Sequence, residues 1–288
     1  ACAEKKQNDK FRQIKTFAIP AEKAVLPSPR SLSYSKDGKE LFVVDDNYNI
    51  SVFNYEGIFL RAWKMPDTQL GKPEGIYCLK DGRIAVADTH YSRVVFFDCA
   101  GKFLSILGSK GTAQGEFSNP VGIVQDSSEN IYVIEYGHKD RVQKFTKEGK
   151  FLLEFGETGT NPENFQRPAG IVWHDSKVYI ADAANNRIQV FSDDGKHLFF
   201  FSGKEQGHSF YLPYDIAIGP DNCLYIVEYG NSCLSIFSDQ GKFICKYGSP
   251  GSSEGQFISP WGLAVHSDGK VLIADTGNRR ICVLHKNY

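Results

Sequence analysis

Apolar and polar positions alternate in short runs along the chain, and the pattern repeats six times. One copy, residues 260–284 (PWGLAVHSDGKVLIADTGNRRICVL), has an apolar run, a polar turn at Asp268-Gly269, a second apolar run, a Gly-Asn loop and a third apolar run. Short alternating runs bounded by turn residues predict β-strands. Each copy therefore predicts at least three consecutive strands joined by tight connections.

Each copy opens at a proline, and the copies follow at intervals of 44 to 48 residues. The opening prolines are Pro29, Pro73, Pro120, Pro168, Pro213 and Pro260. A fourth apolar run follows the third in the first five copies, but the sixth ends at Tyr288 without one. Phe11–Ile19 alternates in the same way, so we expect it to supply the missing strand. That pairing closes a ring and leaves no inner edge unpaired.

An apolar residue lies three positions before each opening proline. These plug residues are Leu26, Leu70, Phe117, Phe165, Phe210 and Phe257. Because such regularity is not typical of a solvated loop, we expect each to pack between two neighbouring repeats, where repeat proteins gain much of their stability. Residues 1–10 are polar and are expected to form a disordered tether, and residues 11–288 a single repeat domain.

Composition agrees with an all-β chain of balanced charge. The sequence has 21 Phe and 14 Tyr, which favour strands, and a net charge of −1, which does not favour nucleic-acid binding through bulk charge. Its seven cysteines show neither metal-ligand spacing nor a disulfide framework. Most lie in strand patterns typical of small buried hydrophobic residues. Cys223 and Cys233 flank one hairpin, and both a disulfide and two free thiols are compatible with that placement.

The order P-x-G-[IVL], [IVL]-[YAL]-[IV]-[AV]-[DE] and N-x-R-[IV]-x-x-[FL] resembles the NHL repeat, and residues 168–191, which include ADAANNRIQVF, are close to its ideal form. The resemblance covers about residues 26–288. It implies an all-β, six-bladed β-propeller of four-stranded antiparallel blades around a central channel, with the last blade completed by the N-terminal strand. It also implies that ligands bind on the face where the interblade loops and the loops between second and third strands emerge.

Two sets of residues are expected on that face. The residues after the opening prolines are placed around the channel mouth by the resemblance: Arg30, Glu74, Val121, Ala169, Tyr214 and Trp261. The acids that end the second strands, here called strand-end acids, are Asp45, Asp88, Glu135, Asp182, Glu228 and Asp275. Four third strands open with an arginine: Arg93, Arg141, Arg187 and Arg280. An acid and an arginine repeated in this way predict a structural hydrogen bond that braces each hairpin.

Departures from the repeat are the better candidates for a specific function. The fifth copy has Asp215 in the glycine position and Cys233 in the arginine position, which leaves Glu228 without its expected partner. The first copy has Ser31 and Asn49 there, which leaves Asp45 in the same situation. Terminal repeats also diverge for capping reasons alone.

Blades 5, 6 and 1 adjoin once the ring closes, so these departures fall together. They predict one aromatic and acidic patch at the channel mouth, a composition typical of ligand pockets. Its residues are Arg30, Asp45, Glu74, Tyr214, Asp215, Glu228, Tyr229 and Trp261.

The favoured function is a non-catalytic binding module, an interaction or sensor scaffold that takes a protein or small-molecule ligand, acts as a monomer and needs no cofactor. The alternative is a metal-dependent lyase or hydrolase, since the resemblance extends to zinc-binding amidating lyases and calcium-dependent lactonases. The position after the opening proline never holds a histidine. Of the histidines, His90, His138 and His208 can reach the binding face, and Glu74 and Asp215 carry oxygen atoms suited to calcium.

Single-stranded RNA, which some NHL propellers of tripartite-motif proteins bind, is the least favoured ligand, because acids on this face match the bases in number. The pair Ala1-Cys2 is similar to the end of a bacterial lipobox, with Cys2 as the lipid-bearing residue. It predicts an exported protein anchored to a membrane by that lipid. The alternative is a cytoplasmic protein.

Overall fold

The structure, a computed structural model, describes residues 11–17 and 27–286 and contains six four-stranded antiparallel blades around a central channel. The predicted six-bladed all-β fold is confirmed. In five blades the strands follow in chain order from the channel to the rim, and in the sixth the outer strand is Phe11–Phe17, paired with Arg280–Lys286. The N-terminal strand therefore closes the ring as expected.

Strands at the same position in each blade share an environment. The inner strands, which line the channel, are Pro29–Tyr34, Gly75–Cys78, Asn119–Gln125, Pro168–His174, Pro213–Ile218 and Leu263–Val265. The second strands are Glu40–Asp45, Ile84–Asp88, Ile131–Tyr136, Lys177–Asp182, Cys223–Glu228 and Val271–Asp275. The third strands are Asn49–Asn54, Arg93–Phe97, Arg141–Phe145, Arg187–Ser192, Cys233–Ser238 and Arg280–Lys286. The outer strands are Phe59–Lys64, Phe103–Leu107, Phe151–Phe155, His197–Phe201, Phe243–Tyr247 and Phe11–Phe17.

Short elements occupy the loops between these strands. Two pairs of two-residue parallel strands lie in interblade loops, Glu157–Thr158 with Asn164–Phe165 and Ser249–Pro250 with Gln256–Phe257. Single 3-10 turns occur at Thr89–Tyr91, Ala183–Asn185, Lys204–Gln206 and Thr276–Asn278. Within residues 11–17 and 27–286, no helix has the length and apolar character needed to cross a membrane.

The hydrophobic core lies between the blades, in clusters that each combine side chains of two neighbours. Because both faces of a blade are covered, a second strand such as Ile84–Asp88 is buried at every position. The outer strand Phe151–Phe155 is covered on one side and alternates between half-buried and exposed positions. This difference explains why the second strands have nearly continuous apolar runs.

The four plug phenylalanines lie in these interblade cores. Phe117, Phe165, Phe210 and Phe257 are at most 4% exposed. Phe165, for example, packs in one cluster with Val142 of blade 3 and Val178 of blade 4. They occupy the positions expected from the sequence.

The plug prediction is wrong for Leu70, which is 67% exposed. Met65, directly after the outer strand of blade 1, is buried between blades 1 and 2 instead. The interval from Pro29 to Pro73 is the shortest, 44 residues, and in this loop the backbone N–H of Leu70 donates to the Tyr91 hydroxyl at 3.1 Å. Leu26 lies outside the described residues.

In blades 3 to 6 the strand-end acid connects its hairpin to the interblade loop before it. Asp182 shows the arrangement: it accepts hydrogen bonds from the backbone N–H of Gln166 at 2.7 Å and from Nε of Arg187 at 2.8 Å. Arg187 also donates to three carbonyls of the same loop, those of Thr160, Asn161 and Asn164. Burial raises the pKa of Asp182, and these donors oppose that effect. The residue that donates the N–H directly follows the plug Phe165, so the acid also positions the plug.

The same contacts recur in other blades. Strand-end acids and arginines pair at 2.9, 2.7 and 2.7 Å in Asp88–Arg93, Glu135–Arg141 and Asp275–Arg280. The residue after the plug donates its N–H to the acid in blades 3, 5 and 6 as well, from Ser118, Tyr211 and Ile258. One carboxyl oxygen of Asp88 is buried without a partner. Blade 2 is also the blade whose plug residue, Leu70, lies outside the core.

The expectation that Asp45 and Glu228 lack partners is wrong. Asp45 accepts a bond from the side-chain amide of Asn49 at 3.0 Å. Glu228 lies 2.6 Å from Nε2 of His208, a residue of the interblade loop whose ring stacks on Phe243. A histidine from the loop thus takes the place of the arginine that Cys233 replaces.

The cysteines at 78, 99, 223, 233, 245 and 282 are free thiols. The strand register pairs Cys223 with Ser238 and Cys233 with Glu228, which places the two cysteines at opposite ends of their hairpin. The disulfide alternative is therefore wrong. Cys2 and the predicted tether at residues 1–10 lie outside the described residues.

Replacing Phe165 with Ala should lower the free energy of unfolding by roughly 3–5 kcal/mol, because it leaves a cavity between two blades. Replacing Leu70 with Ala is the matched control and should change it by less than about 0.5 kcal/mol, since Leu70 is exposed. Urea titration of both variants measures the difference. Equal effects would contradict the interblade role of the plug phenylalanines.

Replacing His208 with Ala should lower the free energy of unfolding by roughly 2–4 kcal/mol, because Glu228 then loses a partner in a buried position. Adding Cys233→Arg should restore part of the loss by supplying the arginine of the other blades. Lys204→Ala, in the same loop but exposed, serves as the control. A His208→Ala protein as stable as the parent would show that this contact contributes nothing.

Candidate binding site at the channel mouth

The inner strands approach one another closely around the channel. A side chain added at Gly75 would place its Cβ 2.1 Å from the carbonyl oxygen of Val121, and one at Gly262 would lie 2.2 Å from that of Arg30. Glycine is therefore required at these two crossings of neighbouring inner strands. The two departures use their side chains to join blades: Ser31 Oγ accepts the N–H of Ile76 at 3.3 Å, and Asp215 Oδ2 accepts that of Leu263 at 3.0 Å.

The channel contains a cavity of about 220 Å³. All six residues that follow the opening prolines line it, so the ring expected from the sequence forms one mouth: Arg30, Glu74, Val121, Ala169, Tyr214 and Trp261. The ring is asymmetric in chemistry. Two of its members are charged, two are aromatic and two are small or aliphatic.

Three aromatic side chains of blades 5 and 6 form a cluster at the mouth. Tyr214 stacks on Tyr229 with ring centroids 4.8 Å apart, and Trp261 meets Tyr214 edge to face, also at 4.8 Å. The Arg30 guanidinium lies 4.3 Å from the centroid of the Trp261 ring. Such edge-to-face and cation–π contacts hold the rings in one orientation without a ligand.

Two guanidinium groups reach the mouth. Arg30 forms an ion pair with Glu74 at 3.0 Å, with side chains only 15% and 9% exposed. Burial raises the pKa of Glu74, while the positive charge of Arg30 opposes the shift. The guanidinium of Arg167 lies over two tyrosine rings, 5.4 Å from the centroid of Tyr136 and 5.9 Å from that of Tyr214.

Asp215 lines the same cavity. Its carboxylate accepts bonds from the backbone N–H groups of Ile216 at 2.9 Å and Leu263 at 3.0 Å. Burial raises the pKa of Asp215 to about 7, and the two N–H donors only partly oppose it. We therefore expect the charge of the channel to change near neutral pH.

The structure brings together six of the eight residues of the predicted patch. Five of them line the cavity and Tyr229 stacks on their rings: Arg30, Glu74, Tyr214, Asp215, Trp261 and Tyr229. Asp45 and Glu228 do not line the cavity, because they are fully buried as strand-end acids. Ligand contact at these two positions is thus no longer part of the hypothesis.

Sequence reasoning missed Tyr136 and Arg167, both of which line the cavity. A signal was present for each. Tyr136 follows the strand-end acid Glu135 as Tyr229 follows Glu228, and Arg167 directly precedes an opening proline.

The histidines expected near this face are separated. His208 is buried against Glu228, whereas His90 and His138 are exposed. Over the part of the chain that the structure describes, no group of three or more His, Cys, Asp or Glu side chains is placed to hold a metal ion.

Comparison with known proteins agrees with this architecture. The NHL repeat family model matches residues 257–284. The B-box type zinc finger protein ncl-1 of Caenorhabditis elegans is 50% identical over 42 residues, which are 15% of this chain and 5% of that protein. The match thus spans a small part of that relative.

Solved structures share the fold over most of the chain. A streptogramin B lyase is 18% identical with a TM-score of 0.67, over 96% of this chain and 98% of that one. Virginiamycin B lyase from Staphylococcus aureus is 14% identical with a TM-score of 0.65, over 96% and 100%. A chain of a nidogen/laminin complex is 16% identical with a TM-score of 0.60, over 76% and 79%. The chain is therefore a six-bladed β-propeller, and the NHL repeat is matched in its sixth blade, at residues 257–284.

Proposed function

We propose that the protein is a binding module whose ligand enters the channel mouth and contacts the aromatic cluster of Tyr214, Tyr229 and Trp261. The observation that carries the proposal is this preformed cluster, supported from one side by Arg30. Aromatic side chains held in position by packing, beside a few convergent polar groups, are characteristic of binding sites. Asp215 and Glu74 supply acidic groups at the same cavity.

The size of the cavity favours a partner protein over a large free ligand. Drug-sized ligands occupy clefts of roughly 300–1,000 Å³, and this cavity is smaller, about 220 Å³. It accommodates one side chain or one chain end. The remaining contacts of a partner would then lie on the surrounding loop face, as at protein interfaces where one buried group is surrounded by a polar rim.

The comparisons support the propeller fold on which this proposal depends. They do not distinguish a binding module from an enzyme, so the proposal rests on the geometry of the site. The neighbours include two lyases and a chain from a protein–protein complex, and one propeller fold serves many functions. The alternative, a metal-dependent lyase or hydrolase, requires zinc or calcium by resemblance. We also retain the proposal that the protein is exported and carries a lipid on Cys2, which lies outside the described residues.

Trp261→Ala should abolish ligand binding while changing the melting temperature by only a few degrees, because Trp261 is only partly buried at the mouth. A library of displayed random nonapeptides serves as the probe, and wild-type protein should enrich peptides that the variant does not. Tyr211→Ala is the matched control, an exposed aromatic residue that does not line the cavity. Peptides retained equally by the Trp261 variant would place binding elsewhere, for example near His90, Tyr91 and His138.

Elemental analysis by plasma mass spectrometry, on protein purified without a metal-affinity column, separates the binding module from the enzyme alternative. We predict no stoichiometric zinc or calcium. One ion per chain would favour the enzyme, and substitution of Glu74 and Asp215 would then test whether that ion binds in the channel.

A further inference from the structure

Within the proposed binding function, on which this inference rests, we propose that the inserted group carries one carboxylate and that Arg167 binds it. The partner is then a peptide segment that presents either an acidic side chain or a free C-terminal carboxylate at its tip. Both sources present a carboxylate. They differ in whether the peptide chain continues beyond the residue that carries it.

Arg167 differs from the arginines that open the third strands and from the other arginine that lines the channel. Arg93, Arg141, Arg187 and Arg280 are all paired with strand-end acids, and Arg30 is paired with Glu74. The Arg167 side chain is exposed, lies over two tyrosine rings, and forms no ion pair with any carboxylate of the described residues. It is a positioned cation at the mouth whose charge is available to a ligand.

The backbone conformation of Arg167 is common to equivalent turns in other blades and is not specific to this site. Arg167 has a positive φ of 52°, but Leu212 and Ser259, which precede the opening prolines of blades 5 and 6, have 50° and 47°. The N–H of Arg167 donates to Asp140 Oδ2 at 3.1 Å, which fixes the start of its side chain. What is particular to blade 4 is therefore the guanidinium that the turn presents to the channel.

The charges of the mouth favour a single carboxylate. Arg30 and Glu74 compensate each other, so Arg167 leaves about one positive charge at the mouth while Asp215 is protonated. A carboxylate matches that charge and accepts two parallel hydrogen bonds from a guanidinium. A phosphate with two negative charges would exceed it and would be repelled more strongly than a carboxylate by Glu74 and Asp215, which line the same cavity. The tyrosine and tryptophan rings favour an apolar or aromatic neighbour beside the carboxylate.

Two libraries of displayed random nonapeptides test the inference, one with free C-termini and one with the peptides inserted within a loop. Peptides that bind wild-type protein but not Trp261→Ala should share a glutamate, an aspartate or a free C-terminus next to an apolar residue. Enrichment confined to the free-terminus library identifies the terminal carboxylate as the source. Enrichment of acidic residues in both libraries identifies a side chain.

One enriched peptide and its uncharged counterpart, with glutamate changed to glutamine or the terminus amidated, are then compared by calorimetry. The carboxylate should strengthen binding by about 10- to 100-fold, the range of a charge-assisted hydrogen bond. Arg167→Gln should remove that preference, and Arg167→Lys should retain part of it because it keeps the charge but loses the planar group. Lys204→Gln, an exposed cation in another interblade loop, should leave it unchanged.

Peptides that depend on Trp261 but lack a carboxylate, or a preference that survives Arg167→Gln, would overturn the inference and leave the binding function in place. The absence of any Trp261-dependent peptide would contradict both. A ten-nucleotide oligouridylate can be compared with the free peptide as a competitor of a bound enriched peptide. Displacement by the oligouridylate at the lower concentration would indicate a phosphate ligand and would also overturn the inference.

The pH dependence of peptide binding gives a second readout. Because burial raises the pKa of Asp215 to about 7, its carboxyl becomes ionised as the pH rises from 6 to 8 and repels an anionic ligand. Affinity should therefore fall by several fold over this range, and Asp215→Asn should flatten the profile. The other charged groups that line the cavity are Arg30, Glu74 and Arg167, and the Asp215 variant separates its own contribution from theirs. Affinity that increases with pH would contradict an anionic ligand.

Discussion

Burial of one carboxylate at the end of each second strand is the constraint on which the rest of this propeller depends. Each strand-end acid is fully buried, and burial raises the pKa of Asp45, Asp88, Glu135 and Asp182. A charge in such a place is tolerated only when donors surround it. In blades 3 to 6 the donors include a backbone N–H of the interblade loop, so satisfying the acid fixes the loop against the blade. Asp45 is instead satisfied within its own hairpin, by the N–H groups of Asn47 and Asn49.

The interblade loop in turn carries the residues that matter for stability and for binding. It places a plug phenylalanine between two blades. The residue after the plug donates its N–H to the acid, and the opening proline follows two residues later. The next residue lies at the channel mouth. In blade 4 this short path leads from the plug Phe165 to Arg167 and Ala169. In blades 3 to 6 the position of the residue at the mouth thus follows from a hydrogen bond to a buried acid.

Much of this architecture could be predicted from the sequence, because the six copies show their period, their strand boundaries and their missing outer strand directly. The burial of Met65 in place of Leu70 between blades 1 and 2 could not be predicted. Either apolar residue suits an interblade core, and the choice depends on the path of a shorter loop. The pairing of His208 with Glu228 was equally hidden, because it joins residues 20 positions apart in a loop whose path the repeat does not specify. Arg167 precedes the opening proline and is not one of the repeat's marked positions, and only the packing of blades 3, 4 and 5 around the channel brings it over Tyr136 and Tyr214.

The departures from the repeat therefore separate into two kinds. Asn49 and His208 replace the arginine in its structural role, whereas Asp215, Trp261 and Arg167 alter the chemistry of the channel. A crystal structure of the protein with an enriched acidic peptide tests this account most directly. The account predicts the peptide carboxylate within hydrogen-bonding distance of the Arg167 guanidinium, with its neighbouring side chain against the Trp261 ring. A peptide bound at the rim of a blade or at the opposite end of the channel would contradict it.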